Sequence, residues 1–503
     1  MSATYLASEL KTELGDIPPT FLPVGNKHLY KLQIEFAKKY YDKIVLTLPS
    51  NFSPFEADLQ FFNDHHIQVL FLDPNLKIGD SLGQALHELK PNERVDILFG
   101  DTLFDDFKPQ LNSVAVAKKM GNYNWHVDQD HVWAGFFSFA NPSKLAKLLE
   151  QFTFHSAIEN YISDSPDFLK IPIQHWYDFG HLNTYFYSKQ KMTTERHFNC
   201  LEIKNGAVIK SSSDALKMSA EAAWYKNAPP SIKPFLPQFF EESFSLDKKK
   251  CYSIEYLHLL SLSEIYVFGR QDENTWNEIF NSCSYFLDET ALVATESAQW
   301  SEKDSYQLYY KKTLDRLAQF ESESGIKLDH EWKLNDQYLP SLSTISESVW
   351  SALKDRPGRP GFIHGDFCFS NILYDFKSKK IKVIDPRGLN TNNEITNLGD
   401  FRYEIAKLAH SAVGFYDQII AQQYNFTENQ YRLTLGFASD KNLDIVKDIF
   451  LNTKFRGQTP DKWDILPIMI TLFMSMLPLH KDNVQRQKVL IANVLRLYRQ
   501  MSQ

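Results

Sequence analysis

Three short apolar runs in the first third of the chain are separated by stretches with helical periodicity. The runs are Lys43–Leu48, Ile67–Leu72 and Val95–Phe99, and a helix-like segment, Tyr30–Tyr41, precedes the first of them. Strands that alternate with helices predict βαβ units and a mainly parallel sheet. Asp101 follows the third run almost directly, at the kind of strand end where open α/β sheets place their ligands.

The pattern changes near residue 190, where strand candidates come before a helix. His197–Ile203 and Ala207–Lys210 are joined by Lys204-Asn205-Gly206, and an Asn-Gly pair at such a point is a strong hairpin signal. Ala215–Lys226 then reads as a helix, and Cys251–His258 is a further apolar strand candidate before a helix-rich segment. This order predicts a small β-rich lobe that leads into a helical one.

The clearest pattern lies later, within Phe362–Arg387. Two apolar segments, Ile372–Tyr374 and Ile381–Ile384, flank the polar turn Asp375–Lys380. Such a pattern predicts a β-hairpin. Because the start of the first strand and the end of the second lie side by side in a hairpin, the residues just outside both strands should meet at one edge.

Asp366, Asn371 and Asp385 occupy that edge in the predicted hairpin. Two carboxylates and an amide form a hard oxygen site of the kind that Mg²⁺ prefers, with room for phosphate oxygens. The Asp-x4-Asn spacing, followed by a strand that ends in Asp, also matches the protein-kinase catalytic loop and its later metal-binding Asp. The alternative is a polar hairpin in which these side chains only cap turns.

His364-Gly365-Asp366, the later Asn371 and the Ile384-Asp385-Pro386-Arg387 segment together resemble the aminoglycoside phosphotransferase and choline kinase family, whose fold is that of the protein kinases. The resemblance implies that Asp366 accepts the proton of the substrate hydroxyl. It also implies that Asn371 and Asp385 hold Mg²⁺ against the phosphates of ATP. Arg387 would contact a phosphate or an anionic substrate, or form a salt bridge within its own lobe.

The same resemblance assigns residues in the preceding β-rich lobe. A strand that ends in Lys210 and a helix that carries Glu221 follow the kinase order, in which the lysine holds phosphates and the glutamate orients the lysine. Lys217 is a rival for Lys210, and both could be ordinary solvent-facing charges. The predicted hinge that would bind adenine, with an ordinary edge strand as the alternative, consists of Glu255, Tyr256 and Leu257.

Several stretches of the first third resemble sugar-phosphate nucleotidyltransferases. These stretches are Leu14–Leu29, Ile97–Phe104, Trp133–Phe139 and Trp176–Lys189. By this resemblance Asp101 and Asp178 fall where that family often places metal-binding carboxylates. The resemblance makes them the weaker, N-terminal metal-site candidates.

The phosphate-binding loop of that family is missing from this chain. The corresponding stretch, Ala7–Glu13, contains no glycine, and Glu13 and Pro19 stand where an arginine and a lysine are expected. A Cβ atom blocks the close approach of the backbone to phosphates, and Glu13 would repel a triphosphate. We therefore expect nucleotidyl transfer to be lost, although the domain could still bind a sugar or nucleotide, position the substrate or mediate assembly.

Composition excludes several other classes of protein. The formal net charge of -8 argues against a broad nucleic-acid surface. The four cysteines, Cys200, Cys251, Cys283 and Cys368, form no CxxC pair, which argues against a zinc site and favours a reducing compartment. The most apolar late run, Ile465–Leu479, is interrupted by prolines and too short to span a bilayer, so we predict a buried helix and a cytoplasmic protein.

We therefore predict an α/β chain with an N-terminal Rossmann-like nucleotidyltransferase-type domain and a C-terminal two-lobed, protein-kinase-like (α+β) domain. The predicted bounds are 1–192 for the first domain, 193–259 for the kinase-like N-lobe and 260–503 for the helical C-lobe.

The predicted function is an ATP-dependent, Mg²⁺-requiring kinase that phosphorylates a hydroxyl of a sugar, polyol or amino alcohol. Because the chain also contains a nucleotidyltransferase-like domain, we predict a role in bacterial capsule or lipopolysaccharide assembly. One alternative is a bifunctional kinase and nucleotidyltransferase that makes a nucleotide-activated alcohol or sugar. Another is a non-catalytic scaffold. The sequence leaves open whether the chain forms a homo-oligomer.

Overall fold

The structure is a computed structural model that describes residues 8–105, 107–119, 127–128, 131–192, 199–245, 247–292, 300–437 and 441–502. The chain divides into two compact units. The first unit comprises Met1–Thr194 with Phe268–Arg270, and the second comprises Glu195–Val267 with Gln271–Gln503. The predicted domain boundary at residues 192 and 193 borders positions 193–198, which lie outside the described residues, as do Ala7, His197 and Phe198.

The first unit alternates helices and strands. Its described helices are α1 (Ser8–Leu14), α2 (Leu29–Ala37), α3 (Glu56–Asp64), α4 (Ile78–Leu89), α5 (Pro142–Leu149), α6 (Phe154–Ser163) and α7 (Leu182–Lys191). Its described strands are β1 (Pro23–Val24), β2 (Lys27–His28), β3 (Val45–Pro49), β4 (Gln68–Leu72), β5 (Val95–Leu98), β6 (Thr102–Phe104), β7 (Ser113–Lys118), β8 (Val127–Asp128), β9 (His131–Phe139), β10 (Leu169–Pro172) and β11 (Trp176–Asp178).

The three strands predicted in this unit are confirmed as β3, β4 and β5, and β3 pairs with β4 in parallel. The prediction of a mainly parallel sheet is wrong. The largest sheet has the order β10-β7-β9-β5, in which β9 runs antiparallel to both β7 and β5. The physical reason is that parallel neighbours need a long crossover, usually a helix, whereas the described residues between 95 and 139 contain strands and no helix.

The second unit contains the remaining elements. Its described strands are β12 (Asn199–Lys204), β13 (Ala207–Ser212), β14 (Phe239–Phe244), β15 (Lys250–Glu255), β16 (Leu260–Ser261), β17 (Trp332–Leu334), β18 (Gln337–Leu339), β19 (Pro360–Phe362), β20 (Ile372–Asp375), β21 (Lys380–Val383), β22 (Leu398–Asp400), β23 (Asn425–Asn429) and β24 (Arg432–Gly436). Its described helices are α8 (Ala215–Lys226), α9 (Leu262–Phe268), α10 (Glu273–Leu292), α11 (Glu302–Ser305), α12 (Lys312–Ser324), α13 (Leu342–Leu353), α14 (Phe401–Ala412), α15 (Tyr416–Ile420), α16 (Lys441–Asn452), α17 (Ile465–Met476) and α18 (Val484–Met501).

The second unit begins with an antiparallel sheet in the order β12-β13-β15-β14, and α8 packs against it, with Tyr225 next to Phe239 and Tyr252. The predicted Asn-Gly hairpin and the predicted helix Ala215–Lys226 are both confirmed. We call this sheet with α8 the N-lobe and the elements from β16 onwards the C-lobe.

The C-lobe is built around the strongly apolar helix α17, which packs against α12, α13, α14 and α18. Its buried side chains include Ile468, Leu472 and Phe473. A helix that is apolar all round belongs in a core, so the predicted buried helix is confirmed. Within the part of the chain that the structure describes, no helix has the length and apolar character needed to cross a membrane.

Candidate active site

The predicted hairpin is present as β20 and β21, with Ile372 opposite Val383. The backbone N–H of Ile384 donates to the carbonyl oxygen of Asn371 at 3.0 Å. This pairing places Asn371, at the end of a short 3-10 turn, beside the last residues of the returning strand. The chain then reaches Asp385, whose positive φ of 59° turns it out of the strand. Asn371 and Asp385 therefore lie at one edge, as the pattern predicted.

Asp366 is held by two side chains at that edge. The Nδ2 group of Asn371 donates to Asp366 Oδ2 at 2.9 Å and to its carbonyl oxygen at 3.0 Å. Lys407 Nζ lies 2.7 Å from Asp366 Oδ1. Burial alone would raise the pKa of Asp366, but Lys407 and Arg387 outweigh it and lower this pKa well below its usual range. The carboxylate is therefore ionised and can accept a hydrogen bond from a substrate hydroxyl.

Glu404 of α14 holds the loop that carries Asp366 through two hydrogen bonds. The backbone N–H groups of His364 and Gly365 donate to the two Glu404 oxygens at 2.8 and 2.9 Å. Gly365 has a φ of 80°, and a Cβ there would lie 2.7 Å from the Cβ of Arg387, so the position requires glycine. Because His364 is fully buried, its pKa falls to about 4, and the ring is neutral.

Helix α14 is in turn held at its start by Asp400. The Asp400 carboxylate accepts the backbone N–H of Arg402 at 3.1 Å and pairs with the guanidinium of the same residue at 2.7 Å. Asp400 is therefore the N-cap of α14. Because α14 also carries Glu404 and Lys407, a fixed helix start helps to position both of these side chains.

Lys210 of β13 reaches the same edge from the N-lobe. Its Nζ atom lies 2.7 Å from Glu221 Oε2 and 3.1 Å from Asp385 Oδ1. The Tyr252 hydroxyl donates to the same Glu221 oxygen at 2.8 Å. Burial opposes the charge on Lys210, but Asp385 and Glu221 outweigh it and raise the pKa of this lysine. The lysine is therefore a fixed cation beside Asp385.

Lys217, the rival for Lys210, has a different position. Its side chain is 42% exposed, and its Nζ atom lies 3.9 Å from Glu221. It sits at the rim of the cavity described below and does not bridge the two lobes.

The predicted hinge residues lie where the chain leaves β15. The N–H groups of Glu255 and Tyr256 donate to the carbonyl oxygens of Gln238 and Gly206, both at 2.8 Å. These two donors are therefore used within the N-lobe. None of Glu255, Tyr256 and Leu257 lines the cavity that contains Asp366.

A cavity of about 1000 Å³ opens in front of the hairpin edge. Its lining includes Lys210, Asp366, Asn371, Asp385 and Arg387. It is large enough to hold the phosphates of a nucleotide and a small acceptor together.

The oxygen ligands at this edge fit Mg²⁺. Asp385 offers a carboxylate whose side chain is 34% exposed, and Asn371 offers its amide oxygen, which accepts one 3.4 Å hydrogen bond from the Ser370 hydroxyl while its Nδ2 group donates to Asp366. The described residues contain no cluster of three or more metal-binding His, Cys, Asp or Glu side chains. Mg²⁺ typically takes one or two protein carboxylates and completes its shell with water and phosphate oxygens, so this sparse set suits it.

Sequence reasoning missed several residues of this site, namely Lys407, Glu404, Tyr403, Lys312 and Arg316. Tyr403 lies under the Arg387 guanidinium, 5.4 Å from ring centroid to Cζ. Burial would raise the pKa of Tyr403, but Arg387, Lys312 and Lys407 lower it to about 8. Several charged residues along α14 could have indicated a functional helix face. Charged helix residues are usually exposed to solvent, however, so they did not point to the site.

In the first unit, Asp101 and Asp178 also lie near each other. A Cβ at Gly180 would lie 2.6 Å from Asp101 Oδ2 and 3.4 Å from Asp178 Oδ1. The Thr184 hydroxyl and His181 Nδ1 both contact Asp178 Oδ2. Burial and the neighbouring Asp178 raise the pKa of Asp101 to about 6.

In this unit, the residues that correspond to the phosphate-binding loop of nucleotidyltransferases form a helix. Helix α1 spans Ser8–Leu14, so most of the positions aligned with the glycine-rich loop have helical backbone. Helical N–H groups beyond the first turn bond within the helix and cannot cradle phosphates.

A scan against protein-family models and a search of curated proteins both found no match. Solved structures of aminoglycoside phosphotransferases are similar to the chain. The apo form of a thermostable APH(4)-Ia mutant has a TM-score of 0.39 and 10% identity, covering 61% of this chain and 92% of that one. ADP-bound APH(2'')-Ib has a TM-score of 0.38 and 14% identity, covering 61% and 90%.

A ternary complex of an APH(4)-Ia mutant with AMP-PNP and hygromycin B is similar at a TM-score of 0.37 and 13% identity, covering 61% and 92%. These likenesses concern a mixed α/β, kinase-like fold. At such TM-scores and identities they assign no function to this chain. The predicted nucleotidyltransferase resemblance of the first unit finds no support among them.

Proposed function

We propose that the protein is an ATP-dependent kinase that phosphorylates a hydroxyl group of a small molecule, with its active site at the hairpin edge of the second unit. The observation that carries the proposal is the convergence of Lys210, Asp366, Asn371 and Asp385 on one cavity. These four side chains come from sequence positions up to 175 residues apart and form two contacting pairs, Lys210 with Asp385 and Asn371 with Asp366. Turn capping alone does not explain a buried lysine that bridges two lobes.

In this proposal Asp366 accepts the hydrogen bond of the acceptor hydroxyl and takes its proton as the new O–P bond forms. Its low pKa makes it a weak base, which suits an orienting role early in the reaction and proton transfer late. Lys407 and the Asn371 amide hold the carboxylate in place. Phosphoryl transfer depends mainly on positioning and electrostatic stabilisation, which these fixed contacts supply.

Lys210 would bind the α- and β-phosphates, and Glu221 and Tyr252 hold the lysine in position. Asn371 and Asp385 would hold Mg²⁺, which when bound offsets the negative charge of the phosphates. Lys210 contacts Asp385 directly, at 3.1 Å. The lysine and a metal ion held by Asp385 would therefore contact the same phosphate groups. The N–H of Leu257 and the carbonyls of the hinge remain the proposed adenine contacts.

The acceptor class in this proposal is a sugar, polyol or amino alcohol, used in bacterial surface-polysaccharide assembly. The buried, unpaired thiols of Cys251, Cys283 and Cys368 support a reducing, cytoplasmic setting. Asp101 and Asp178 remain proposed metal ligands of the first unit. The helical α1 supports the proposal that this unit no longer transfers nucleotides.

The test is transfer of the γ-phosphate from Mg-ATP to a panel of sugars, polyols and amino alcohols. The Asp366→Asn variant should lose about 10³-fold in kcat, as expected for loss of a general base, while its circular dichroism spectrum is unchanged. Asp375→Asn is the matched control, because Asp375 ends β20 of the same hairpin and its carboxylate accepts hydrogen bonds from Lys377 and Ser378 of the turn. Unchanged turnover in the Asp366→Asn protein would contradict the proposal.

A further inference from the structure

One wall of the cavity carries cations that have no matching carboxylates. Lys312 and Arg316 lie four residues apart and so share one face of α12, and Arg387 follows the hairpin. All three line the cavity. Among the described residues, no carboxylate oxygen lies within 4.0 Å of any of their side-chain nitrogens. We call these three residues the basic wall.

The carboxylates of the same cavity have partners of their own. The pairs are Glu221 and Asp385 with Lys210, Asp366 with Lys407, Asp315 with Lys311, Asp400 with Arg402, and Asp304 with the backbone N–H of Ser301. Each of these carboxylates thus has its hydrogen-bond or ion-pair partner outside the basic wall, and the acidic group beside the wall is the phenol of Tyr403, which lies under Arg387.

Holding these cations together is electrostatically unfavourable without an anion. Attraction to Tyr403 favours the charge on Lys312, but burial and the nearby Arg387, Lys407 and Arg316 outweigh it and lower the pKa of Lys312 to about 8. Groups kept in an unfavourable charge state inside a cleft are typical of binding sites that a ligand completes.

The basic wall is distinct from the cluster that would hold the nucleotide phosphates. Lys210, which would bind the nucleotide phosphates, contacts Glu221 and Asp385, at 2.7 and 3.1 Å. Arg387 of the basic wall lies beside the loop that carries Asp366: its backbone N–H donates to the His364 carbonyl oxygen at 2.9 Å, and a Cβ at Gly365 would lie 2.7 Å from its Cβ. The basic wall thus belongs to the side of the cavity where Asp366 meets the acceptor hydroxyl.

We propose that the acceptor is an anion, a phosphorylated or carboxylated sugar or polyol, and that Lys312, Arg316 and Arg387 bind its anionic group while its hydroxyl faces Asp366. This inference rests on the proposed kinase function. Guanidinium groups favour bidentate contacts with phosphate or carboxylate, and the lysine adds a point charge. A neutral or cationic acceptor would leave the basic wall unsatisfied.

The experiment compares matched acceptors in binding and in turnover. Calorimetry with the full chain, Mg²⁺ and AMP-PNP would measure binding of glycerol, glycerate and glycerol 3-phosphate, and of ribose and ribose 5-phosphate. The same pairs would then be assayed with ATP. The test variant is Lys312→Gln/Arg316→Gln, and the control is Lys327→Gln, which removes one exposed cation outside the cavity.

The expected result is that at least one anionic probe binds about 100-fold more tightly than its neutral partner, since two charge-assisted hydrogen bonds are gained. The double variant should remove most of this preference and leave binding of Mg-AMP-PNP unchanged. Lys327→Gln should change neither. Carboxylate and phosphate probes tell the two anionic groups apart.

Equal binding of neutral and anionic partners, or binding of none of the anionic probes, would overturn the inference. So would weaker Mg-AMP-PNP binding in the double variant, because the basic wall would then hold the nucleotide. Failure of the kinase proposal looks different: anionic probes would bind and depend on Lys312 and Arg316, but no phosphoryl transfer that requires Asp366 would occur.

Discussion

The two units each contain a pair of aspartates, and the two pairs have opposite electrostatic surroundings. Asp101 and Asp178 flank Gly180 in the first unit, and among the described residues no lysine or arginine nitrogen lies within 4.0 Å of either carboxylate. In the second unit, Asp366 pairs with Lys407 and Asp385 pairs with Lys210. The pKa of Asp101 is accordingly raised and that of Asp366 is lowered.

The difference shows what a carboxylate needs in order to act in phosphoryl transfer. A carboxylate that is ionised and held in place at neutral pH can orient a hydroxyl group and bind a metal ion. A lysine beside the carboxylate keeps it ionised. Asp366 meets this condition without a ligand, and Asp385 has a lysine, Lys210, beside it at 3.1 Å. Asp101, with a pKa of about 6, needs a cation from solution to become equally well ionised.

The largest effect outside Asp366 itself is expected at Lys210. Lys210→Met removes the fixed cation beside Asp385 and should lower kcat/KM for Mg-ATP by about 10²- to 10³-fold, the range for one preorganised electrostatic group. Steady-state kinetics with varied ATP would measure it. Lys217→Met is the matched control, because its side chain is exposed and should cost less than about threefold. Equal losses in both variants would contradict the role of Lys210.

The two aspartate pairs should respond to mutation with opposite sign in stability. Because the folded-state pKa of Asp101 is raised, its contribution to stability is lost as the pH rises through about 6. Asp101→Asn, measured by urea unfolding at pH 8 with EDTA, should therefore raise the free energy of unfolding by about 2 kcal/mol. Added Mg²⁺ should reduce the difference if Asp101 binds metal.

Asp366→Asn should instead lower the free energy of unfolding. The folded-state pKa of Asp366 is lowered, so its contribution is present above the ordinary aspartate pKa and is lost as the pH falls. The variant leaves Lys407 without its carboxylate and should lose about 1–2 kcal/mol at pH 7, less than for a fully buried pair because the Asp366 side chain is 35% exposed. Stability changes of the same sign in both variants would contradict the comparison.

A smaller effect is expected at Glu404. An amide at this position can accept only one of the two N–H groups of His364 and Gly365, so Glu404→Gln should loosen the loop that carries Asp366. We expect kcat to fall about tenfold with little change in KM, as for a modest misplacement of a catalytic group. Glu347→Gln, on the exposed face of α13, is the control.

The smallest effect is a spectroscopic one. Tyr403 should ionise near pH 8, visible as an early step in a near-ultraviolet absorbance titration, because Arg387, Lys312 and Lys407 overcome the opposing effect of burial. Tyr403→Phe should remove the step, and Lys312→Gln should move it to higher pH. Its lowered pKa means that ionised Tyr403 adds stability as the pH rises above about 8. Titration of all tyrosines near pH 10 would contradict this account.

The local parts of the site could be predicted from the sequence and the long-range parts could not. The hairpin that positions Asn371 and Asp385 depends on an apolar alternation and a polar turn within a few residues, and the structure contains it. Glu404 and Lys407 come from a helix about 40 residues later, and both are buried. Charged helix residues are usually exposed, so nothing local indicated that they face the loop.

The first unit shows the same limit at the level of the sheet. The strands at β3, β4 and β5 were predicted from short apolar runs, but the antiparallel pairing of β5 with β9 joins segments more than 30 residues apart. A short apolar run indicates a strand but does not determine which segment pairs with it or in which direction. The helical α1 was missed because it was judged only by its lack of glycine.

In the proposed kinase, phosphoryl transfer occurs at one centre, in the second unit. The most direct test measures γ-phosphate transfer from ATP and pyrophosphate release from CTP, UTP and dTTP in the same preparations of wild type, Asp366→Asn and Asp101→Asn/Asp178→Asn. We expect Asp366→Asn to lose about 10³-fold in transfer, the double variant to stay within about twofold of wild type, and no preparation to release pyrophosphate. Transfer that survives in Asp366→Asn, or pyrophosphate release that depends on Asp101 and Asp178, would contradict this proposal.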